Sequence, residues 1–404
     1  IAITDNIVIN TNTGIDVTGV TFMTMSDIAI TGNTITNADV YGIRLGVAGR
    51  ITALDPDWTG FLISGNDVNL GANGTGLLID YKLDAEVTIG SGNTFDGGVN
   101  GLVINGDTNR TLTLVGDTLN NTVFTNQSGS FIALQDTALF DPDQPTIIDA
   151  QGVSFNGVLG SELTFAQALA VENQLVHYLD DPTLGLLNIG QLVVPNTNSI
   201  QLAVNAAALL GEDTVTVGSG IFGGSVEVWV DNLNLVGQGA TTIINTGGID
   251  LFANNGDINT GFVVGALDAS GVNPNDPSGT ANVRDVTIEG FAFAEITPDG
   301  DTTGIELGIR DLGGNSIADG ATISGNIFTP TLFFGNSMLD AIELVNVGLN
   351  RTWDISNNLI LAGAVSRHGI FMSDDNLGSG FLSITDNTIF AAEDGINIAG
   401  RLTD

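Results

Sequence analysis

The chain has 404 residues, with 54 Gly, no Cys, 14% charged and 43% hydrophobic residues. Nine basic residues against 46 acidic ones give a net charge of -37, and Lys82 is the single lysine, so the basic surface that a nucleic acid backbone requires cannot be assembled. A mean hydropathy of +0.28 beside that charge separates the chain from disordered acidic tails and leaves ample apolar material for a core.

Without cysteine there is no disulfide framework, which suits either a reducing compartment or a large secreted protein that relies on repetition. The acidity repels anionic membranes and polysaccharides unless a divalent ion bridges them, and Ca²⁺ is the ion that carboxylate-bearing loops would hold. Residues 183–211 carry no charge, yet Asn188, Gln191, Asn196, Asn198, Gln201 and Asn205 interrupt them, so no membrane span is expected. The start at Ile1 has neither a basic region nor an apolar run and reads as a mature or partial product.

The first element in chain order is a four-residue motif: an apolar residue, Ser or Thr, a turn residue, then Asn. It occurs as Ile3-Thr4-Asp5-Asn6, Ile30-Thr31-Gly32-Asn33 and Ile63-Ser64-Gly65-Asn66. It returns as Ile323-Ser324-Gly325-Asn326, Ile355-Ser356-Asn357-Asn358 and Ile384-Thr385-Asp386-Asn387. A period near 30 residues belongs to a repeat architecture. A second motif, Gly followed by apolar-any-apolar, alternates with the first at Gly14, Gly42, Gly101, Gly304, Gly369 and Gly395, and each copy predicts a short strand of period two. Coiling such copies in parallel stacks each Ile on the one before it, with Gly, Asn and Asp at the corners and Asn6, Asn33 and Asn66 in a ladder. The expected fold is all-β, a right-handed parallel β-helix in two segments, 1–157 and 190–404, joined by a short helical connector, 158–189.

Regularity fades after about Leu114, and the spacing of Leu163, Ala166, Leu169, Ala170, Leu175, Val176 and Leu179 predicts a helix over 161–179. Ser161 or Thr164 would cap it, Gln167 completes a capping box with Thr164, and Asp180-Asp181-Pro182 would stop it. His177 and Tyr178 are expected as packing residues at its end. A second helix is expected near 199–210, followed by Gly211-Glu212-Asp213-Thr214-Val215-Thr216-Val217-Gly218 and Leu233-Asn234-Leu235-Val236-Gly237.

This order over residues 199–239 resembles the opening cap of pectin-lyase-like right-handed β-helices, in which a small amphipathic helix plugs the bore before a glycine-punctuated first coil. Residues 165–173 and 184–186 resemble the linkers between β-helices of giant repetitive bacterial surface proteins. The resemblances imply an extracellular or cell-surface location in a bacterium, an adhesive or structural role, and cell-surface glycans as partners. Neither end of the sequence carries a polar cap, so the last coil is expected to stack on the first coil of another copy, giving a filament or layer; the rival expectation is that truncation removed the caps.

Polysaccharide lyases and hydrolases also use this fold, so catalytic candidates need separate treatment. Val228-Trp229-Val230-Asp231-Asn232 is faintly similar to a pectate-lyase segment, but no downstream Arg-any-Pro-any-any-Arg accompanies it, and Trp229 is expected to pack. Arg367-His368-Gly369 with Asp374-Asp375 is faintly similar to a galacturonase set, although the acidic pair follows the His instead of preceding it. A groove lined by Trp58 or Trp353 with facing carboxylates would favour an enzyme or glycan-binding module. Acidic pairs in Pro- and Gly-containing loops are the Ca²⁺ candidates: Asp55 and Asp57, Asp141 and Asp143, Asp299 and Asp301, Asp374 and Asp375. With only His177 and His368 and no Cys, a zinc site is not expected. The expectation is therefore a non-enzymatic protein with no required cofactor.

Overall fold

In the computed structural model, each copy of the four-residue motif ends a strand with its third residue in the left-handed region: Asp5 (φ 56°), Gly32 (67°), Gly65 (63°), Gly325 (64°), Asn357 (56°) and Asp386 (56°). Only Gly, Asn and Asp adopt that conformation readily, which explains the restricted choice at this position. The structure describes residues 1–20, 25–48, 58–80, 85–105, 112–114, 119, 121–135, 146–223, 225–246, 259–265, 282–294, 302–308, 317–329, 338–345, 347–361, 363–374, 381–390 and 393–400. By its internal contacts the chain divides into two units, Ile1–Gln191 and Leu192–Asp404. Both are built mainly of strands, and the described α-helices are α1 (Phe165–Glu172) and α2 (Ile200–Leu210).

In the second unit the chain passes through three parallel sheets in a fixed order, and one such passage is called a rung below. The first sheet runs from Leu192–Val194 and Thr214–Val217 to Val347–Ser356 and Phe381–Thr385. The second runs from Gly220–Gly223 to Thr388–Ile389, and the third from Val226–Val228 through Met338–Val345 and Val365–Asp374 to Asp394–Gly400. Like lies on like in register: Leu235, Ile288, Ile323, Ile355 and Ile384 form one column, and Phe262, Ile305, Ile342, Ile370 and Ile396 another. Ile288, Ile305, Ile323 and Ile342 are wholly buried. Each such side chain contributes about 1.5–3 kcal/mol by leaving water.

The first unit repeats the scheme with Ala2–Thr4, Ala29–Thr31, Trp58–Ser64, Ala85–Ile89 and Leu112–Leu114 in one sheet. The long strands Ile7–Val20 and Thr34–Ala48 open a second, which continues in two branches, and Ile147–Asp149 pairs with Leu186–Asn188 in a third. Among the described strands one pair is antiparallel, Ser154–Phe155 with Val158–Leu159. Regularity does not fade at Leu114 as the sequence suggested. The column Ile35, Val68, Phe95, Phe124, Phe155 runs on past it, with Phe95 stacked on Phe124 at 5.6 Å and Phe124 on Phe155 at 6.3 Å. Aromatic residues replace aliphatic ones there, which hid the repeat.

The Gly of the second motif is dictated by the next rung. A Cβ added at Gly14, Gly42, Gly76, Gly101, Gly261, Gly304 or Gly369 would lie 2.5 to 2.6 Å from the carbonyl oxygen of the following rung. A real Cβ does not fit at that separation.

The helix expected over 161–179 is shorter. A 3-10 turn, Gly160–Glu162, precedes α1, which ends at Glu172 because Leu175–Val176 is drawn into a parallel strand beside Ile132–Leu134. Its capping box is present: Gln167 Oε1 accepts from the Thr164 amide at 3.0 Å and from the Thr164 hydroxyl at 2.7 Å. His177 is buried with Glu172, its Nε2 lying 2.6 Å from Glu172 Oε1 while Nδ1 accepts from the Leu187 amide at 3.1 Å. α2 matches the expectation closely. Ser199 caps its start through the Leu202 amide, Gly211 ends it at φ 69°, and Ile200, Ala203, Val204, Ala206 and Ala207 are buried, with α2 packed against Leu192–Val194 before it and Thr214–Val217 and Val226–Val228 after it.

Candidate functional site

Two features stand out once the rungs are in place: a ladder of asparagines that runs through the stack, and a charged cluster on the third sheet of the second unit.

The fourth residue of the motif builds the ladder. The Asn6 amide and Nδ2 both donate to Asn33 Oδ1, at 3.0 and 2.9 Å. Asn33 donates likewise to Asn66 Oδ1 (3.1 and 2.9 Å), and Asn66 to Asn93 Oδ1 (3.2 and 3.0 Å). In the second unit Asn326 donates to Asn358 Oδ1 (3.0 and 3.2 Å), and Asn358 to Asn387 Oδ1 (2.9 and 2.9 Å). Beyond Asn6, each Nδ2 also reaches back one rung, as from Asn33 to the Ile3 carbonyl and from Asn387 to the Ile355 carbonyl. The ladder therefore has a direction: between linked members, the amide and Nδ2 of one Asn are given to Oδ1 of the Asn that follows. Asn33, Asn66, Asn93 and Asn326 are fully buried, where a lost partner leaves an uncompensated polar group.

The cluster centres on Asp340, which is fully buried. Register places Thr303, Asp340, His368 and Asp394 in one outward row, and Glu306, Glu343, Phe371 and Asn397 in the next. Asp340 accepts from Arg367 Nη2 and Nε and from the His368 amide at 3.1 Å, and its Oδ1 lies 2.8 Å from His368 Nδ1, which is also 3.1 Å from Arg367 Nε. With Nδ1 donating, His368 Nε2 accepts from Asn397 Nδ2 at 3.1 Å and lies 3.6 Å from Asp394 Oδ2. Phe371 lies beside both side chains, its ring stacked on His368 at 4.7 Å and 5.2 Å from the Arg367 guanidinium. The hydrogen bond that Arg367 donates to Asp340 raises the pKa of Arg367, which therefore stays charged. Oδ1 of Asp340 faces three nitrogens and Oδ2 one, all of them on Arg367 and His368, so its first role is to hold those two residues in place.

The sequence singled out Arg367 and His368, and the structure joins them to Asp340 of the preceding rung. Asp374 ends the strand Val365–Asp374, and its side chain, like Asp375, lies outside the described residues. The other Ca²⁺ candidates, Asp55, Asp57, Asp141, Asp143, Asp299 and Asp301, also lie outside them. Among the described residues no group of three or more His, Cys, Asp or Glu is arranged to hold a metal ion, and no helix is long and apolar enough to cross a membrane.

Trp58 and Trp353 line no groove. Trp58 is buried against Phe61 at 5.4 Å, and Trp353 is wholly buried. Trp229 packs as expected, its Nε1 donating to Asn205 Oδ1 on α2 at 3.1 Å. Asp340, Glu306 and Glu343 escaped the sequence reading. Their signal was a Glu in the same slot of successive copies, Gly304-Ile305-Glu306-Leu307 and Ala341-Ile342-Glu343-Leu344, the second disguised by Ala in place of Gly.

No family model, curated protein or solved structure matches this chain.

Proposed function

We propose that this chain is a right-handed parallel β-helix in two segments, and that it serves as a non-enzymatic structural element of a bacterial cell surface, extended by stacking end to end. The observation that carries this reading is the in-register column of like residues, in which each rung offers the next the same surface on which it was itself laid. The similarity of residues 165–186 to the linkers of repetitive surface proteins and the acidity of the chain support an extracellular setting. Electron micrographs of the purified chain at rising concentration test the proposal: filaments one molecule wide are expected, and a monodisperse monomer throughout overturns it.

The second reading is a polysaccharide lyase, glycoside hydrolase or glycan-binding module on the same scaffold. The Asp340, His368 and Arg367 cluster favours it, whereas the burial of Trp58 and Trp353 removes the aromatic platform that sugar rings would stack on. Turnover of a polysaccharide that is abolished in His368→Ala, with the fold intact, would establish it in place of the first.

A further inference from the structure

The chain enters α2 through Asn196-Thr197-Asn198-Ser199, and this segment, the first turn of the helix and the strand Gly220–Gly223 line a cleft of about 250 Å³. The chain has 46 acidic residues, yet none of the described residues that line the cleft is charged. One wall is apolar: Phe222, Val226 and Ile244 are buried there, and Ile221 beside them is 60% exposed.

The polar groups of the cleft are unequally satisfied. Asn198 Oδ1 accepts from the Thr197 hydroxyl at 2.8 Å, Gln201 Oε1 from the Glu227 amide at 2.7 Å, Ser199 Oγ from the Leu202 amide at 3.4 Å and Ser225 Oγ from the Thr260 amide at 3.3 Å. Each of these acceptors has a donor. The groups left without a partner are themselves donors. Asn198 is 8% exposed, and its Nδ2 has no acceptor among the described residues. The Ile200 and Gln201 amides open the helix, so no carbonyl lies behind them in it, and no other described residue accepts from them. A buried donor without a partner costs about 1–3 kcal/mol, and the dipole of α2 places partial positive charge at the same end.

We infer that this cleft binds a carboxylate carried on an aliphatic group, its oxygens taking Asn198 Nδ2 and the Ile200 and Gln201 amides and its hydrocarbon covering Ile221. A set of unpartnered donors matches a group that only accepts, which a carboxylate is and a sugar hydroxyl or a carboxamide is not. The acid is either free or the terminal residue of a polypeptide. The strand Gly220–Gly223 separates the two: among the described strands it pairs on one side only, with Thr242–Asn245, so a polypeptide terminus gains backbone hydrogen bonds along the open edge that a free acid does not. The site and the end-to-end stacking proposed above do not depend on each other.

Titration of the isotope-labelled chain, followed by NMR, with isocaproate, with a hexapeptide ending in a free leucine carboxylate, and with the neutral carboxamide of each tests the assignment. The acids are expected to shift the backbone signals of Ile200 and Gln201 and the side-chain signal of Asn198, and the carboxamides to leave them in place. Tighter binding of the peptide assigns a polypeptide terminus, and equal binding assigns the free acid. Asn198→Leu is expected to weaken binding about tenfold, the worth of one hydrogen bond to a charged group. Gly223 lines the cleft, and an added Cβ there meets nothing within 4 Å, so Gly223→Leu is expected to fill the cleft and abolish binding without lowering the melting temperature. Carboxamides that bind as well as the acids, signals that neither acid moves, or a Gly223→Leu chain that binds like the parent overturns the inference.

Discussion

Replacing Asn66 by Leu isolates what the asparagine ladder contributes. Asn66 is fully buried, accepts from the Asn33 amide and Nδ2, and donates to the Ile30 carbonyl (2.9 Å), the Ser64 carbonyl (3.2 Å) and Asn93 Oδ1. Leucine fills the space but strands the Asn33 amide and the Ile30 carbonyl. Asn33 Nδ2 keeps the Ile3 and Thr31 carbonyls, and Asn93 Oδ1 keeps the amide of residue 66. Two buried groups at about 1–3 kcal/mol each, less the gain from the larger apolar side chain, give a loss of about 3 kcal/mol. Asn6→Leu is the matched control: Asn6 is exposed and none of the described residues donates to its Oδ1, so the change costs under about 1 kcal/mol. Hydrogen exchange read by mass spectrometry resolves the rungs separately. Asn66→Leu is expected to lower protection of the surrounding amides by about a hundredfold, and Asn6→Leu by less than tenfold. Equal effects of the two would refute the ladder as a buried structural element.

The remaining expectations concern single contacts. Phe124→Ala opens the aromatic column between Phe95 and Phe155 and is expected to cost about 3–5 kcal/mol in chemical unfolding of the first unit. Gly101→Ala would set a Cβ against the Phe131 carbonyl oxygen at 2.6 Å and against the Phe124 ring, costing about 2–3 kcal/mol, whereas Gly157→Ala has open space and shows only the strain of its φ of 89°. Asp96 receives hydrogen bonds from Thr125, Asn126 and Asn69, which hold its pKa below the ordinary 3.8. Its contribution is present above that value and lost as pH falls through the lower folded-state pKa, so Asp96→Asn should flatten the acid limb of a stability profile. Burial raises the pKa of Glu227, which disfavours its ionised form in the folded chain. Glu227→Gln should therefore raise the melting temperature at neutral pH and do so less in acid.

Much of the architecture was legible because one rung constrains the next. A motif that ends Ile-Thr-Gly-Asn leaves little freedom: the third residue must turn left-handed and the fourth must bond its counterpart a rung away. The glycine before each apolar-any-apolar strand was legible as a pattern, but its cause, a carbonyl of the following rung, is visible only in three dimensions. The helix over 161–179 was overextended because Leu175 and Val176 suit a helical face as well as a strand, and the open edge beside Ile132–Leu134 decided the matter. Asp340 was missed for a related reason. Its partner His368 is 28 residues away, one rung, whereas Asp374 and Asp375 drew the reading because they are near in sequence, and Asp374 ends the strand Val365–Asp374.

The most direct test of the stacked, parallel register is a set of distances within the second unit. Thr216, Val236, Glu289, Ser324, Ser356 and Thr385 succeed one another in a single column. Spin labels at cysteines introduced for Thr216, Val236 or Glu289, each paired with one at Thr385, should lie about 24, 19 and 14 Å apart, a step of about 4.8 Å for every rung removed. Distances that do not fall by one strand spacing per rung, as in a sandwich of antiparallel sheets, would contradict it.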